Sequence, residues 1–195
     1  MKVIAKQRGN AVPAMTDAQA LSAIAQGRLG ALAVIYDRYH ACLYRFFANA
    51  TGYAQDVDDL VQMTFFTASR AAGSFDGRDS CRAWLLGIGA SLLFRRRRTL
   101  ARWGRALREF AINQEGVHAD VERQILAKGD LNAVARALSG LTERKRVVLL
   151  LADLEELPGE EIARVLRIPI GTVWTRLHHA RRELRDRLAA EGKWR

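Results

Sequence analysis

The sequence is poor in cysteine, in proline and in long apolar runs. Two cysteines, Cys42 and Cys81, exclude a disulfide framework and are too few for a structural zinc site. Three prolines with 15 glycines in 195 residues exclude a collagen-like or proline-rich chain. The longest apolar runs, at 31–36 and 147–152, are about a third of a membrane span, so no membrane insertion is expected. The first residues hold lysines but no apolar core, so no secretory leader is read and a cytoplasmic location is expected. No carboxylate pair, Ser/His/Asp set, P-loop or GxGxxG stretch suggests an enzyme, and no cofactor is implied. The histidines do not suggest a metal. His40 and His118 are isolated, while His178 and His179 are adjacent, about 100° apart on a helix, and cannot share an ion as an i, i+4 pair does.

What is abundant is positive charge. There are 31 Lys and Arg against 21 Asp and Glu, a net +10. Such a chain favours a polyanionic partner, because neutralised phosphates release condensed counterions. Seven arginines (95, 96, 97, 98, 102, 105 and 108) stand between 95 and 108 without one acid. Residues 172–195 carry seven bases against Glu183, Asp186 and Glu191. Residues 51–66 reverse the sign, with Asp56, Asp58 and Asp59 and no base. The pattern suggests two contacts with nucleic acid and one with something else.

Apolar residues recur at three and four, and β-branched alternation is absent, so an all-α chain is expected. Residues 1–14 read as a loose tail. Thr16 and Asp17 can cap a short helix to about Gln26. A long helix over 29–50 places Leu32, Ile35, Tyr36, Tyr39, Leu43 and Phe46 on one face. The next, over 56–72, does so with Val57, Leu60, Val61, Thr64, Phe65 and Ala68. Gly, Ser and Asp make 73–80 a loop, and Ser80 can cap a helix that starts apolar and ends in Arg95, Arg96, Arg97 and Arg98. The periodicity weakens over 100–129, which reads as a linker. The chain thus divides into a first domain, 15–99, and a second, 130–190. Helices are expected in the second at about 131–138, 142–156, 159–166 and 172–189.

Residues 157–184 read as a helix-turn-helix. Pro158 suits the first helical position, and Glu160 and Glu161 suit the positive end of the helix dipole. Ile162, Ala163 and Leu166 form its apolar face. Pro169 and Gly171 make the turn, with Thr172 as the next N-cap. At about 100° per residue, Val173, Leu177, Ala180, Leu184 and Leu188 fall on one stripe. Thr175 and Arg182 lie opposite, flanked by His178 and His179, with Trp174 and Arg185 further round. Such a helix suits a major groove: polar tips for base edges, cations for phosphate.

These segments in order resemble the extracytoplasmic-function class of bacterial sigma factors, over about 29–188. DVDDLVQMTF (56–65) is similar to the family's polymerase-clamp helix. Ala83, Trp84, Leu85 and Ile88, followed by arginines, are similar to its promoter-melting, −10-reading helix. LSGLTERKRVVLLL (138–151) and GTVWTRLHHARREL (171–184) are similar to its −35-binding region. The resemblance implies two small helical domains, sigma regions 2 and 4, joined by the linker. It implies as partners the clamp and flap of core RNA polymerase, promoter DNA and an anti-sigma factor. Residue by residue it implies Asp56, Asp59, Gln62, Met63 and Phe66 for the polymerase. It implies Asp76, Arg78, Ser91 and Arg95 to Arg98 for the −10 region, with the loop 73–80 receiving a flipped base. For the −35 element it implies Thr172, Trp174, Thr175, Arg176, His178, His179 and Arg182. Four departures stand out: Ala90 and Ser91 replace a common Arg-Asn pair, Arg95 replaces an acid, Trp174 replaces a base, and Met63 replaces a common Glu. An operator-binding regulator acting without polymerase, and a sigma mimic that titrates an anti-sigma factor, are the alternatives.

Overall fold

The computed structural model describes residues 15–51, 54–111 and 130–190. Side chains are described throughout these except at 54–56, 100–101, 104–111 and 130–132. Every regular element among them is helical. The order is α1 (Asp17–Ala25), α2 (Leu32–Thr51), α3 (Ala54–Ala71), α4 (Cys81–Ala111), α5 (Asp130–Ser139), α6 (Glu143–Leu149), α7 (Gly159–Leu166) and α8 (Ile170–Ala190). A 3₁₀ turn at Leu29–Ala31 leads into α2, another at Ala72–Ser74 follows α3, and a π turn at Leu150–Leu154 continues α6. None of these helices is long and apolar enough to cross a membrane. The expected tail, 1–14, and the later part of the expected linker lie outside the described residues.

Local chemistry explains the starts. Thr16 closes α1 with a capping box: its hydroxyl accepts from Gln19 N–H, and the Gln19 side chain accepts from Thr16 N–H. Ser80 caps α4 by accepting from Ala83 N–H at 3.1 Å. The apolar stripe of α3 is buried at all six expected positions, including Thr64, whose hydroxyl donates to Leu60 O at 2.7 Å. Helix α2 departs from expectation. Phe47 and Ala50 join Ile35, Leu43 and Phe46 in the core, whereas Tyr36 is 41% exposed. Phe46 and Phe47 are both fully buried, and burial of that kind stabilises by about 1.5–3 kcal/mol each. Gly89 lets α4 approach: a Cβ there would lie 2.8 Å from Phe47 Cζ.

Three other expectations change. Helix α4 does not stop at its arginines but runs on to Ala111. The residues beyond Arg98 are mostly Ala, Arg and Leu, strong helix formers, and Gly104 alone costs only about 1 kcal/mol. The break between α7 and α8 comes earlier than Pro169: Arg167 takes the left-handed conformation, φ 54°. Thr172 is therefore not the cap of α8 but lies in its first turn, donating its N–H to Pro169 O. Cys42 is not simply a small buried hydrophobe. It is half-buried and donates its thiol to Glu155 Oε2 at 3.1 Å.

The buried residues of α1–α4 and of α6–α8 form one continuous apolar cluster. Gly87 of α4 sits against α7, where an added Cβ would come within 2.8 Å of Val165 Cβ. The two halves expected as separate domains therefore lie in contact.

Candidate nucleic-acid interface

Helix α8 turns the expected stripe inward. Val173 and Ala180 are fully buried, Leu177 and Leu188 nearly so, and Leu184 is half-buried. The opposite face is open: Trp174, Thr175, His178, Arg182 and Arg185 are exposed, and Thr172, Arg176 and His179 are half-buried. The His178 and His179 rings meet edge-on, with centroids 5.5 Å apart. The Thr175 hydroxyl donates to Gly171 O at 2.8 Å, which leaves its oxygen as an acceptor on the exposed face. The ring of Trp174 lies over Gly159, where a Cβ would come within 2.5 Å of it. Trp174 thus spans the two helices of the motif. Arg181 is committed elsewhere: it grips Asp153 at 2.6 and 3.2 Å, which holds its charge more firmly than usual. Burial lowers the pKa of Arg176, and nearby Arg144 lowers it further.

A second basic surface lies on α4. Ser91, Arg95 and Arg98 follow one another at i, i+4 and i+7, and all three are exposed. Arg97 is exposed beside them, Arg96 is half-buried, and Ala90 points into the core, fully buried. Arg97 and Arg98 line a cleft with Phe94, facing Thr142, Glu143 and Arg144. The Glu143 carboxyl there is pushed above its usual pKa by burial, against the pull of Arg97. At the N-terminal end of α4, Asp76 and Arg78 are exposed and held together: Asp76 accepts the Arg78 N–H at 3.0 Å and its guanidinium at 3.3 Å. Trp84 is half-buried and stacks edge-on to Phe75 at 5.4 Å.

The third surface is on α3. Asp59, Gln62, Met63 and Phe66 share one stripe, opposite the buried one. Met63 is 48% and Phe66 55% exposed, and the Arg70 guanidinium lies 5.8 Å from the Phe66 ring centre. Asp56 begins the same stripe, but its side chain lies outside the described residues. The α3 stripe, the outer face of α8 and the arginines of α4 lie on different helices, and within the −10 set Asp76 and Arg78 precede α4 whereas Arg95 to Arg98 lie well along it.

Two family models match the chain in succession: Sigma-70 region 2 over residues 35–103 and Sigma-70, region 4 over residues 131–184. The chain is 34% identical to the ECF RNA polymerase sigma factor SigC of Mycobacterium tuberculosis over 170 residues, covering 84% of this chain and 86% of that protein. The chain belongs to the extracytoplasmic-function (ECF) family of RNA polymerase sigma factors. Other relatives agree. ECF sigma factor SigW of Bacillus subtilis is 27% identical over 179 residues, covering 85% of this chain and 92% of that one. Sigma factor CnrH of Cupriavidus metallidurans is 33% identical over 150 residues, covering 71% and 76%. The solved structure of CnrH in complex with the cytosolic domain of CnrY superposes with a TM-score of 0.62 at 28% identity, over 89% of this chain and 97% of that one. RpoE of Bartonella quintana, solved with the anti-sigma factor NepR, shares the fold with a TM-score of 0.61 at 21% identity.

As an ECF sigma factor the protein is an alternative transcription initiation factor. Its regions 2 and 4 also meet through polar groups that sequence reasoning did not single out. Glu155, from the end of the π turn in region 4, is fully buried. It accepts from Arg45 on α2, from both Nε and Nη2, at 2.9–3.1 Å, and from the Cys42 thiol. Arg82 on α4 donates to the Glu155 carbonyl at 2.6 Å. Burial first, then this neighbouring carboxylate, push the Cys42 thiol up to about 12. Arg146 of α6 crosses in the other direction, donating to Ala50 O at the C-terminal end of α2 at 2.7 Å. Nothing in the local pattern marks Glu155, because Glu155-Glu156 reads as an ordinary solvated acidic turn.

Proposed function

We propose that region 2 docks through the Asp59, Gln62, Met63 and Phe66 stripe of α3 on the clamp of the polymerase's largest subunit, with Asp56 extending the contact. Region 4 docks on the flap of the second subunit and presents α8 to the −35 element. The observation that carries this reading is the split on α3: one face is wholly core, while the other exposes a Phe and a Met beside acids. Large apolar groups next to charge are characteristic of an interface rather than of a solvated surface.

On α8, Thr175, His178 and Arg182 reach base edges, with Trp174 and His179 beside them, while Thr172, Arg176 and Arg185 face the phosphates. On region 2, the loop 73–80 with Asp76 and Arg78 receives an unstacked base of the opened −10 strand. Ser91 and Arg95 to Arg98 follow the backbone of that strand. Each reader is weak alone. Tethering both to one enzyme raises their effective concentration and adds spacing to base identity as a source of specificity. Chemistry is left to the polymerase, and the site of action is the cytoplasm. CnrH and RpoE were solved with partner proteins, and control by an anti-sigma factor is proposed here by that analogy.

Run-off transcription with purified core polymerase on genomic fragments tests the reading. The expected result is discrete starts that appear only when the protein is added. DNA binding by the protein alone, with no transcription in the presence of core, would point to an operator-binding regulator instead.

A further inference from the structure

Where α4 passes the start of α6, its arginines border a cleft of about 440 Å³. One wall is Phe94, Arg97 and Arg98, at i, i+3 and i+4 on one face of α4, and the other is Thr142, Glu143 and Arg144. A volume of that size suits a small molecule, since ligand clefts run from about 300 to about 1,000 Å³. The cations there lack counter-ions. Elsewhere among the described residues Arg45 meets Glu155, Arg164 meets Asp79, Arg181 meets Asp153 and Lys145 meets Glu183. Arg97, Arg98 and Arg144 are exposed and make no ion pair among the described residues.

A fourth cation stands nearby. Arg146 is 8% exposed and donates to Ala50 O, Ser139 O and Leu141 O, three carbonyls and no carboxylate. Its Nε is the one buried side-chain nitrogen or oxygen among the described residues without a hydrogen-bond partner. Burial lowers the pKa of Arg146, and the charge of Arg97 lowers it further. The only acid lining the cleft is Glu143, and burial pushes its carboxyl towards the neutral form. Arginine does not shed its proton to relieve such crowding. The repulsion among these guanidinium groups is relieved instead by an anion brought between the walls.

We propose that this cleft binds a polyphosphate, a chain of two or three phosphates that is free or carried by a nucleoside, gripped by Arg97 and Arg98 from one wall and Arg144 from the other. Guanidinium forks take phosphate oxygens two at a time, which suits three arginines around a short chain. A single phosphate brings at most about two negative charges, too few to balance four guanidinium groups against one carboxyl. Phe94 is the one aromatic side chain in the lining, so a base carried on the chain has a ring to stack on there. On the reading given above, Arg97 and Arg98 also follow the −10 strand, and a bound polyphosphate competes with it. The site itself does not rest on that reading.

Titration calorimetry of the full chain with inorganic tripolyphosphate, then with ATP, tests the site at about 0.15 M salt, where exposed charges are screened beyond about 8 Å. Neither polymerase nor DNA enters the assay, so its outcome is separate from that of the promoter reading. The expected result is saturation at one tripolyphosphate per chain. Arg144→Ala should weaken binding about tenfold or more, as loss of one charge-assisted hydrogen bond does. Arg28→Ala removes the same charge from an exposed position outside the cleft and should leave the affinity unchanged. Glu143→Gln removes the opposing carboxyl and should tighten binding several-fold. Circular dichroism checks that each variant keeps its helix content; should Arg144→Ala lose it, Glu143→Gln decides. ATP bound more tightly than tripolyphosphate, with the excess reduced in Phe94→Leu, identifies a nucleotide; ATP bound no more tightly identifies a free polyphosphate. Absence of saturable binding by both probes overturns the proposal. So does an equal loss in Arg28→Ala and Arg144→Ala, the mark of diffuse charge attraction, and so does an unchanged affinity in Glu143→Gln.

Discussion

Phe65 and Phe66 are adjacent on α3 and should fail in opposite ways. Phe65 is 4% exposed and packs in the core against Tyr36, with ring centres 4.9 Å apart. Phe66 is 55% exposed. Truncating a buried Phe costs about 3–5 kcal/mol of stability through lost transfer energy and the cavity left behind. Phe66 offers a partner about 110 Å², taking about 200 Å² for the whole side chain. At about 25 cal/mol per Å² that is worth about 2.8 kcal/mol on docking, or about a hundredfold in affinity. Its exposed cation–π contact with Arg70 adds at most about 1 kcal/mol to the free protein. Phe66→Ala should therefore melt close to wild type yet bind core polymerase about a hundredfold more weakly. Phe65→Ala should melt far earlier. Urea unfolding followed by helix content, and titration of labelled core polymerase, measure the two quantities. If Phe66→Ala is destabilised as much as Phe65→Ala, or keeps full polymerase affinity, the assignment of this face is wrong.

Other outcomes follow from the same geometry. Alanine at Thr175, His178 or Arg182 should each cost about 1–3 kcal/mol at one base of the −35 element, whereas Arg185→Ala should weaken all sequences alike and flatten the salt slope; binding assays on single-base variants at two salt concentrations distinguish them. Ser91 has a single hydroxyl and Ala90 is buried, so the −10 element should tolerate substitution; a promoter library transcribed in vitro should sharpen at one −10 position in Ser91→Asn. Burial raises the thiols of both Cys42 and Cys81 from 9.0 to about 12, which favours the protonated form in the folded chain. Their stabilising contribution is complete below about pH 9 and is lost as pH rises towards 12, so unfolding free energy should fall over that window, and fall less in Cys81→Ala.

The α3 stripe, the α8 stripe, the cap at Ser80 and the family itself were all legible in the chain, because each is written in a period of three or four residues or in a local motif. So was the exposure of Met63 and Phe66, which follows from their angle off that stripe. Local patterns misplaced Tyr36 and missed Phe47, since which flank of a broad apolar face is covered depends on where α3 and α4 pack. Thr172 was misread as a cap because Arg167, a residue with no special liking for positive φ, ends α7 in the left-handed conformation, with its own N–H and that of Ile168 donating back to Arg164 O and Ala163 O. Only the tertiary structure could give Glu155 its place. Its partners Arg45 and Arg82 are 110 and 73 residues away, on two different helices, and no sequence period connects them. The chain by itself determined which surfaces exist. The packing of region 4 on region 2 decided which of them are covered in the free protein, because burial of one carboxylate depends on cations that only the fold brings to it.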